Sequence, residues 1–237
     1  MSWDNFILRW SKFIKKLTIP TFRNRIYTGL KNTLIIAFVG FLIGFILGSV
    51  LAVVKLLPKN KKICRIASKI CDVYVAIFRG TPMVVQLLIT YYMLLPILGL
   101  KASGFSVCVI MFGLNSAAYV CEIMRGGILS VDKGQMEAGR SLGLSYAKTM
   151  IKIVIPQAIK NIIPTLGNEL ITLVKETSIV SFVGAMDLFT AFQMIGASNY
   201  EYMIPYLVMA LIYIALVVIL TLIVKLIERR MRASDKR

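Results

Sequence analysis

The sequence has no histidine, and only 11 of its 237 residues are acidic, against 28 Lys and Arg. Histidine is the commonest general base near neutral pH and the commonest metal ligand. Its absence, with no carboxylate dyad or cysteine pair at catalytic spacing, leaves little chemistry for a membrane enzyme. Cys64, Cys71, Cys108 and Cys121 lack the C-x-x-C spacing of a zinc or redox site. Most of them fall at or inside apolar segments, where a thiol acts as a small hydrophobe. No G-x-x-x-x-G-K-[ST] phosphate loop occurs, so the chain cannot hold ATP in the usual way. The N-terminus has a positive stretch but no apolar core and small-residue cleavage site after it, which excludes a secretory signal. The net charge of +17 invites a nucleic-acid reading. The basic residues, however, are not interleaved with stacking aromatics. They cluster at the ends of apolar runs, where they face anionic lipid headgroups.

Long apolar runs are what the sequence does have. Apolar residues make up 58% of the chain and charged ones 16%, and mean hydropathy is +0.78. A run of about 18–25 residues with few charges crosses the hydrocarbon layer as a helix. Five such runs stand out: Thr33–Val54, Val73–Leu98, Gly104–Cys121, Ile162–Phe189 and Met203–Ile227. The expected fold is an all-α membrane protein of about five transmembrane helices. The first span carries Gly40, Gly44 and Gly48 four apart, a stripe suited to close helix packing within the chain or across a dimer. In the second span Arg79-Gly80-Thr81-Pro82 should interrupt the helix, since Pro82 cannot donate and Gly80 loosens the backbone.

The ends and loops orient these spans. Trp3, Phe6, Ile7, Trp10, Phe13, Ile14 and Leu17 recur at helical spacing opposite Arg9, Lys12, Lys15 and Lys16. This predicts an amphipathic helix lying in the membrane interface within residues 1–31, ended by Pro20. Lys55, Lys59, Lys61, Lys62, Arg65 and Lys69 follow the first span with no acid among them, which places that loop in the cytoplasm. The membrane domain covers 32–228. Residues 229–237 form a basic cytoplasmic tail with Arg229, Arg230, Arg232, Lys236 and Arg237. Five spans counted back from that tail put the basic N-terminal segment outside, against the charge rule.

A cytoplasmic loop at about 130–160 is the most informative stretch. It reads Glu137-Ala138-Gly139, three residues, Gly143, nine residues, then Ile153-Val154-Ile155-Pro156. This resembles the EAA loop of ATP-binding-cassette (ABC) importer permeases, E-A-A-x3-G-x9-I-x-L-P. Gly139 replaces the third alanine and Ile155 the leucine. Phe78-Arg79-Gly80-Thr81-Pro82 with Gln86, Leu114 to Tyr119 with Glu122 and Arg125-Gly126-Gly127, Pro156-Gln157-Ala158, and Gly167-Asn168-Glu169 through Lys175-Glu176-Thr177-Ser178 are similar to polar amino acid permeases of that class. The resemblance spans about residues 25–228. It implies a five-helix permease of the bacterial cell membrane that works as a dimer, with a second copy or a sister permease. It also implies two partner ATPases that carry the ATP and Mg, an extracytoplasmic amino acid-binding protein, and no cofactor in this chain.

Physical chemistry gives the loop a part of its own. A helix at about Gly134–Ser141 followed by the break Ser141-Leu142-Gly143-Leu144-Ser145 can lie along the membrane surface and fit a groove on a partner. Gly143 permits a tight turn, and Glu137, taken as near the first turn, complements the helix dipole. Glu137, Ala138, Gly139, Ser141, Leu142, Gly143, Leu144 and Ser145 are the candidate ATPase-coupling residues.

Polar groups inside the spans are the candidates for a substrate pathway, because ionisable groups in lipid are rare and functional. They are Arg79, Gly80, Thr81, Asn115, Tyr119, Glu122, Glu169, Lys175, Thr177 and Ser178. Glu122 or Glu169 would accept from a substrate ammonium. Gly80 N–H and the hydroxyls of Thr81, Thr177 or Ser178 would donate to its carboxylate, as at other broken membrane helices. The alternative is structural: Arg79 pairing with Glu122, and Lys175–Glu176 bracing a dimer. Tyr91 and Tyr92 read as interfacial belt aromatics. A transporter or channel driven by an ion gradient is the competing function, and an enzyme or assembly scaffold a distant third.

Overall fold

The computed structural model describes residues 3–57 and 60–233. Lys59 of the basic loop and Lys236 and Arg237 of the tail lie outside them. The described chain is helical: α1 Trp3–Leu17, α2 Pro20–Leu56, α3 Lys62–Gly80, α4 Met83–Ile97, α5 Gly104–Leu129, α6 Lys133–Ser141, α7 Tyr146–Val183, α8 Leu188–Ala197 and α9 Met203–Ala233. Single π-helical turns at Thr90–Leu94 and Met150–Val154 interrupt α4 and α7, and α7 tightens to a 3₁₀ helix over Thr177–Val183.

Helices α2, α5 and α9 are each long and apolar enough to cross a membrane. The second and fourth candidate spans are bent helix pairs. The second is α3 plus α4, separated by Thr81 in extended conformation (φ −124°, ψ 145°) ahead of Pro82. That break falls where the Gly80-Thr81-Pro82 pattern expects it. The fourth is α7 plus α8, bent by 54° at residues 184–187. Of the most apolar 18-residue windows, 61% of that in α5 is buried and none of that in α9. The apolar window of α5 is thus largely covered by protein, whereas α9 leaves Leu211, Ile214, Val218 and Leu222 exposed.

Two boundaries depart from the expected ones. Pro20 does not end the amphipathic helix, which stops at Leu17; it opens α2, where its fixed φ suits a first turn. The membrane domain's helices accordingly begin at residue 20 rather than 32. The described part of the tail is helical, since α9 runs to Ala233.

The chain divides into two compact units. The first comprises Met1–Gly40, Met83–Phe112 and Thr172–Ile219. Its core is Phe13, Leu188, Phe192, Ile195 and Ile204, with Phe6, Trp10, Leu17, Phe22 and Tyr213 packed around them. So α1 does not float freely in the interface: Phe6, Trp10, Phe13 and Leu17 face protein, leaving Trp3, Ile7 and Ile14 exposed. The segment before α8 is stitched to α2. Asn32 Nδ2 donates to Met186 O (2.8 Å), Leu188 N donates to Thr33 Oγ1 (3.1 Å), and the buried Asp187 caps α8 by accepting from Phe189 N and Thr190 N.

The second unit comprises Phe41–Pro82, Gly113–Ile171 and Leu220–Arg237. Here Gly44 and Gly48 let α2 lie directly on α5, since a Cβ on Gly44 would stand 2.6 Å from Ser116 Cβ and one on Gly48 2.7 Å from Val120 Cβ. That part of the stripe serves packing within the chain; Gly40 is buried in the first unit. Ala52, Val75, Ala118 and Cys121 form one cluster, and Val120, Ala158, Ile162 and Leu166 another. All four cysteines are free thiols.

Candidate functional site

The α6 hairpin is built almost entirely from local rules. Asp132 caps its start, accepting from Gly134 N at 2.6 Å. This is the acid that complements the helix N-terminus; Glu137 sits beyond the first turn, with its side chain exposed. At the other end Gly143 N donates to Arg140 O (3.0 Å) and Leu144 N to Gly139 O (3.1 Å). That pattern, with Gly143 at φ +82°, is a Schellman stop, which needs a residue without Cβ strain at the left-handed position. Arg140 Nη1 adds a bond to Leu144 O (3.0 Å). Ser145 then caps α7, accepting from Lys148 N, and Thr149 Oγ1 bonds back to Ser145 O.

Gly139 explains its own departure from the EAA pattern. An added Cβ would stand 2.5 Å from Thr149 Cγ2 and 3.2 Å from Ile153 Cδ1. In this chain the buried Thr149 fills the space that an alanine methyl would take. Gln157 Nε2 donates to Gln135 Oε1 (3.1 Å) and Asn161 Nδ2 to Ser130 Oγ (3.0 Å), fixing the α6 hairpin to α7. The held turn exposes Ala138, Ser141, Ser145 and above all Leu142, at 82%. Leu144 is half-buried and Gly143 has open space around it. The result is a stiff knob with an apolar tip and a polar rim.

Among the candidate pathway residues, seven lie in the second unit. Arg79 is exposed, and its guanidinium stands 5.3 Å from the Tyr119 ring centroid, a cation–π contact rather than an ion pair with Glu122. Gly80 faces open space, and Thr81 Oγ1 bonds to Ile77 O (2.8 Å). Asn115 is buried and donates to Phe78 O (3.2 Å), just before the break in the second span. Glu169 accepts from Ser116 Oγ (3.0 Å). Glu122 is held between Lys55 Nζ (2.6 Å) and Arg125 Nη2 (2.8 Å). Lys55 also reaches Asp72 (2.9 Å), so one nearly buried ammonium joins α2, α3 and α5. Sequence reading assigned Lys55 to the solvated loop. A lysine ending an apolar helix, within reach of acids at the ends of two others, was the available signal.

Lys175, Thr177 and Ser178 lie in the first unit, at the tightening end of α7. Lys175 is exposed, Thr177 is buried and bonds to Val174 O (2.8 Å), and Ser178 bonds to Lys175 O (3.1 Å). Tyr91 and Tyr92 line an open pocket of about 320 Å³ with Leu95, Pro96 and Lys101. Tyr92 Oη donates to Phe182 O (3.0 Å). Among the described residues no cluster of His, Cys, Asp and Glu could hold a metal ion.

A multi-pass helical chain with a braced hairpin between its third and fourth spans is a transporter's membrane component, and comparison with known proteins agrees. Residues 44–233 match the family described as binding-protein-dependent transport system inner membrane component, and the chain belongs to that family. It is 45% identical over 210 residues to the arginine transport system permease protein ArtQ of Bacillus subtilis, covering 89% of this chain and 94% of that one. It is 42% identical over 202 residues to the putative glutamine transport system permease protein GlnP of Rickettsia typhi, covering 85% and 88%. A crystal structure of an amino acid ABC transporter with histidines superposes with a TM-score of 0.82 at 38% identity, covering 90% of this chain and 97% of that one. The MetNI methionine ABC transporter, at a TM-score of 0.72 and 22% identity, shares the fold.

Proposed function

We propose that this chain is the membrane-spanning permease subunit of an ABC importer for polar amino acids, and that the α6 knob is where ATP hydrolysis on separate subunits is coupled to its spans. The kinship with amino acid permeases supports the substrate class. The observation that carries the coupling is the braced turn itself: Leu142 projects at 82% exposure from a Schellman stop whose base is locked onto α7 through Gly139 and Thr149. A push on Leu142 is, in this reading, passed to α7 through the packed Gly139–Thr149 base.

In this reading ATP and Mg sit on two partner ATPases, a second permease copy or sister chain completes the pathway, and an extracytoplasmic binding protein delivers the amino acid. A ligand shifts a two-state equilibrium only by its differential affinity for the states. The loaded binding protein must therefore favour the state in which the ATPases close. The polar groups of the second unit along α3, α5 and α7 line the route in this reading, with Gly80 N–H and the Thr81 hydroxyl offered to the carboxylate and Glu122 or Glu169 to the ammonium.

Gly143→Asp tests the coupling. Uptake of labelled amino acid is measured in proteoliposomes carrying the full complex with loaded binding protein. The variant should insert and assemble, since Asp tolerates the left-handed φ, but its added charge on the knob should separate ATP hydrolysis from uptake. Parental uptake by the variant would overturn the coupling role, and accumulation driven by a sodium or proton gradient without ATP would overturn the importer reading.

A further inference from the structure

Tyr200 is the one non-glycine among the described residues with a positive φ, at +56°. Its ring is 90% exposed. A bulky residue held in the left-handed region is strained, and a connecting turn relieves such strain by placing Gly or Asn there. Asn199 is the neighbouring residue, yet the tyrosine takes the strained position. The turn is not slack either. Asn199 N and Glu201 N both donate to Gly196 O (3.4 and 3.0 Å). Gly196 lets the Tyr202 ring close against the helix end, at 2.5 Å from where a Cβ would stand. The Glu201 carboxylate bonds to Met203 N (3.2 Å) and to Arg9 Nη1 (3.1 Å), and Lys16 Nζ bonds to Ser198 Oγ.

These braces also fix what surrounds the ring. Arg9, Lys12 and Lys16 share one face of α1 at i, i+3 and i+7, and the outer two grip the turn. Lys12 between them is exposed. The single acid in the turn, Glu201, is already paired. A tyrosine whose backbone, and so whose Cα–Cβ direction, is held thus stands on a turn gripped by a basic helix face. The turn precedes α9, whose far end carries Lys225, Arg229 and Arg230, so a cytoplasmic tail places Tyr200 on the outer side.

We infer that the Tyr200 turn, with the Arg9–Lys12–Lys16 face of α1, is a docking tooth for the extracytoplasmic binding protein, its ring entering a notch rimmed by carboxylates on that protein. The inference rests on the importer reading above. A lipid headgroup layer is fluid and accepts a ring in any direction, so strain and three side-chain braces gain nothing there. A rigid protein surface rewards a residue presented from a backbone held before contact, and Tyr and Arg are the residues that most often dominate such contacts.

The test uses the complete transporter in nanodiscs and the loaded binding protein of the same system, titrated while ATP hydrolysis is followed. Tyr200→Gly relaxes the turn, so a purely structural role predicts no loss. Docking predicts that the half-stimulating concentration rises on the order of tenfold with unstimulated hydrolysis unchanged. Tyr200→Phe should stay near the parental value. Lys12→Glu should raise the half-stimulating concentration several-fold at low salt and less at high salt. Coincident titrations of Tyr200→Gly and parent would overturn the proposal. So would a shift present in anionic nanodiscs and lost in zwitterionic ones, which marks a lipid contact. If loaded binding protein leaves the parental complex unstimulated, the importer reading fails with it.

Discussion

Two turns of this chain each push one large side chain into open space, and they differ in which residue takes the left-handed position. At Leu142-Gly143 the left-handed residue is glycine, at φ +82°, and the projecting leucine precedes it. At Asn199-Tyr200 the left-handed residue is the projecting side chain itself, at φ +56°. The first turn is free of backbone strain, and its bracing comes from backbone bonds of a helix stop. The second is strained, and the distant side chains of Arg9 and Lys16 add to the backbone bonds of its own helix stop, Asn199 N and Glu201 N to Gly196 O. Unstrained and locally coded, the first suits an element that transmits force on every cycle. Held by long-range contacts, the second suits a contact that must be offered in one direction.

The comparison breaks most visibly at Gly143. Gly143→Val puts a β-branched residue at φ +82°, and uptake should fall below about a tenth of the parental rate. Gly143→Asn, which tolerates the left-handed region, should keep most of it; equal loss in both would show that space, not backbone, is what Gly143 provides. A smaller effect is expected one turn earlier. Gly139→Ala drives a methyl into Thr149 and should destabilise the complex by about 1–3 kcal/mol in a thermal melt. Thr149→Ala in the same chain should recover most of that. The smallest effect runs the other way: Tyr200→Gly should stabilise the chain by about 1 kcal/mol through relief of the left-handed strain. Melting at an unchanged temperature would mean that the turn carries none.

The same contrast explains what the sequence disclosed. The break at Gly80-Thr81-Pro82, the α6 helix and the Gly143 turn follow from residues adjacent in the chain, and all three were legible. The ends of the spans were less so. Pro20 opens a helix rather than closing one, and the fourth span starts well before Ile162, because apolar content alone does not say where a helix leaves the lipid. The packing face of α1 was read as a lipid face, since Phe13 meeting Leu188 and Ile204 is a contact across the whole chain. The candidate pathway residues were chosen by residue type, which does not name their partners across helices. Arg79 lies over Tyr119 and Lys55 reaches Glu122 and Asp72, pairings that require three helices to be placed first.

The most direct trial of the account places a reporter at the tip of the knob. In a complex whose four native cysteines are replaced, Leu142→Cys carrying a short photo-crosslinker should join the permease to an ATPase subunit, with a yield that changes when ATP is bound. It should also be shielded from membrane-impermeant thiol reagents added outside intact cells. Labelling from the outside, or a crosslink to lipid alone, would contradict the claim that this turn is the point where the motor grips the permease.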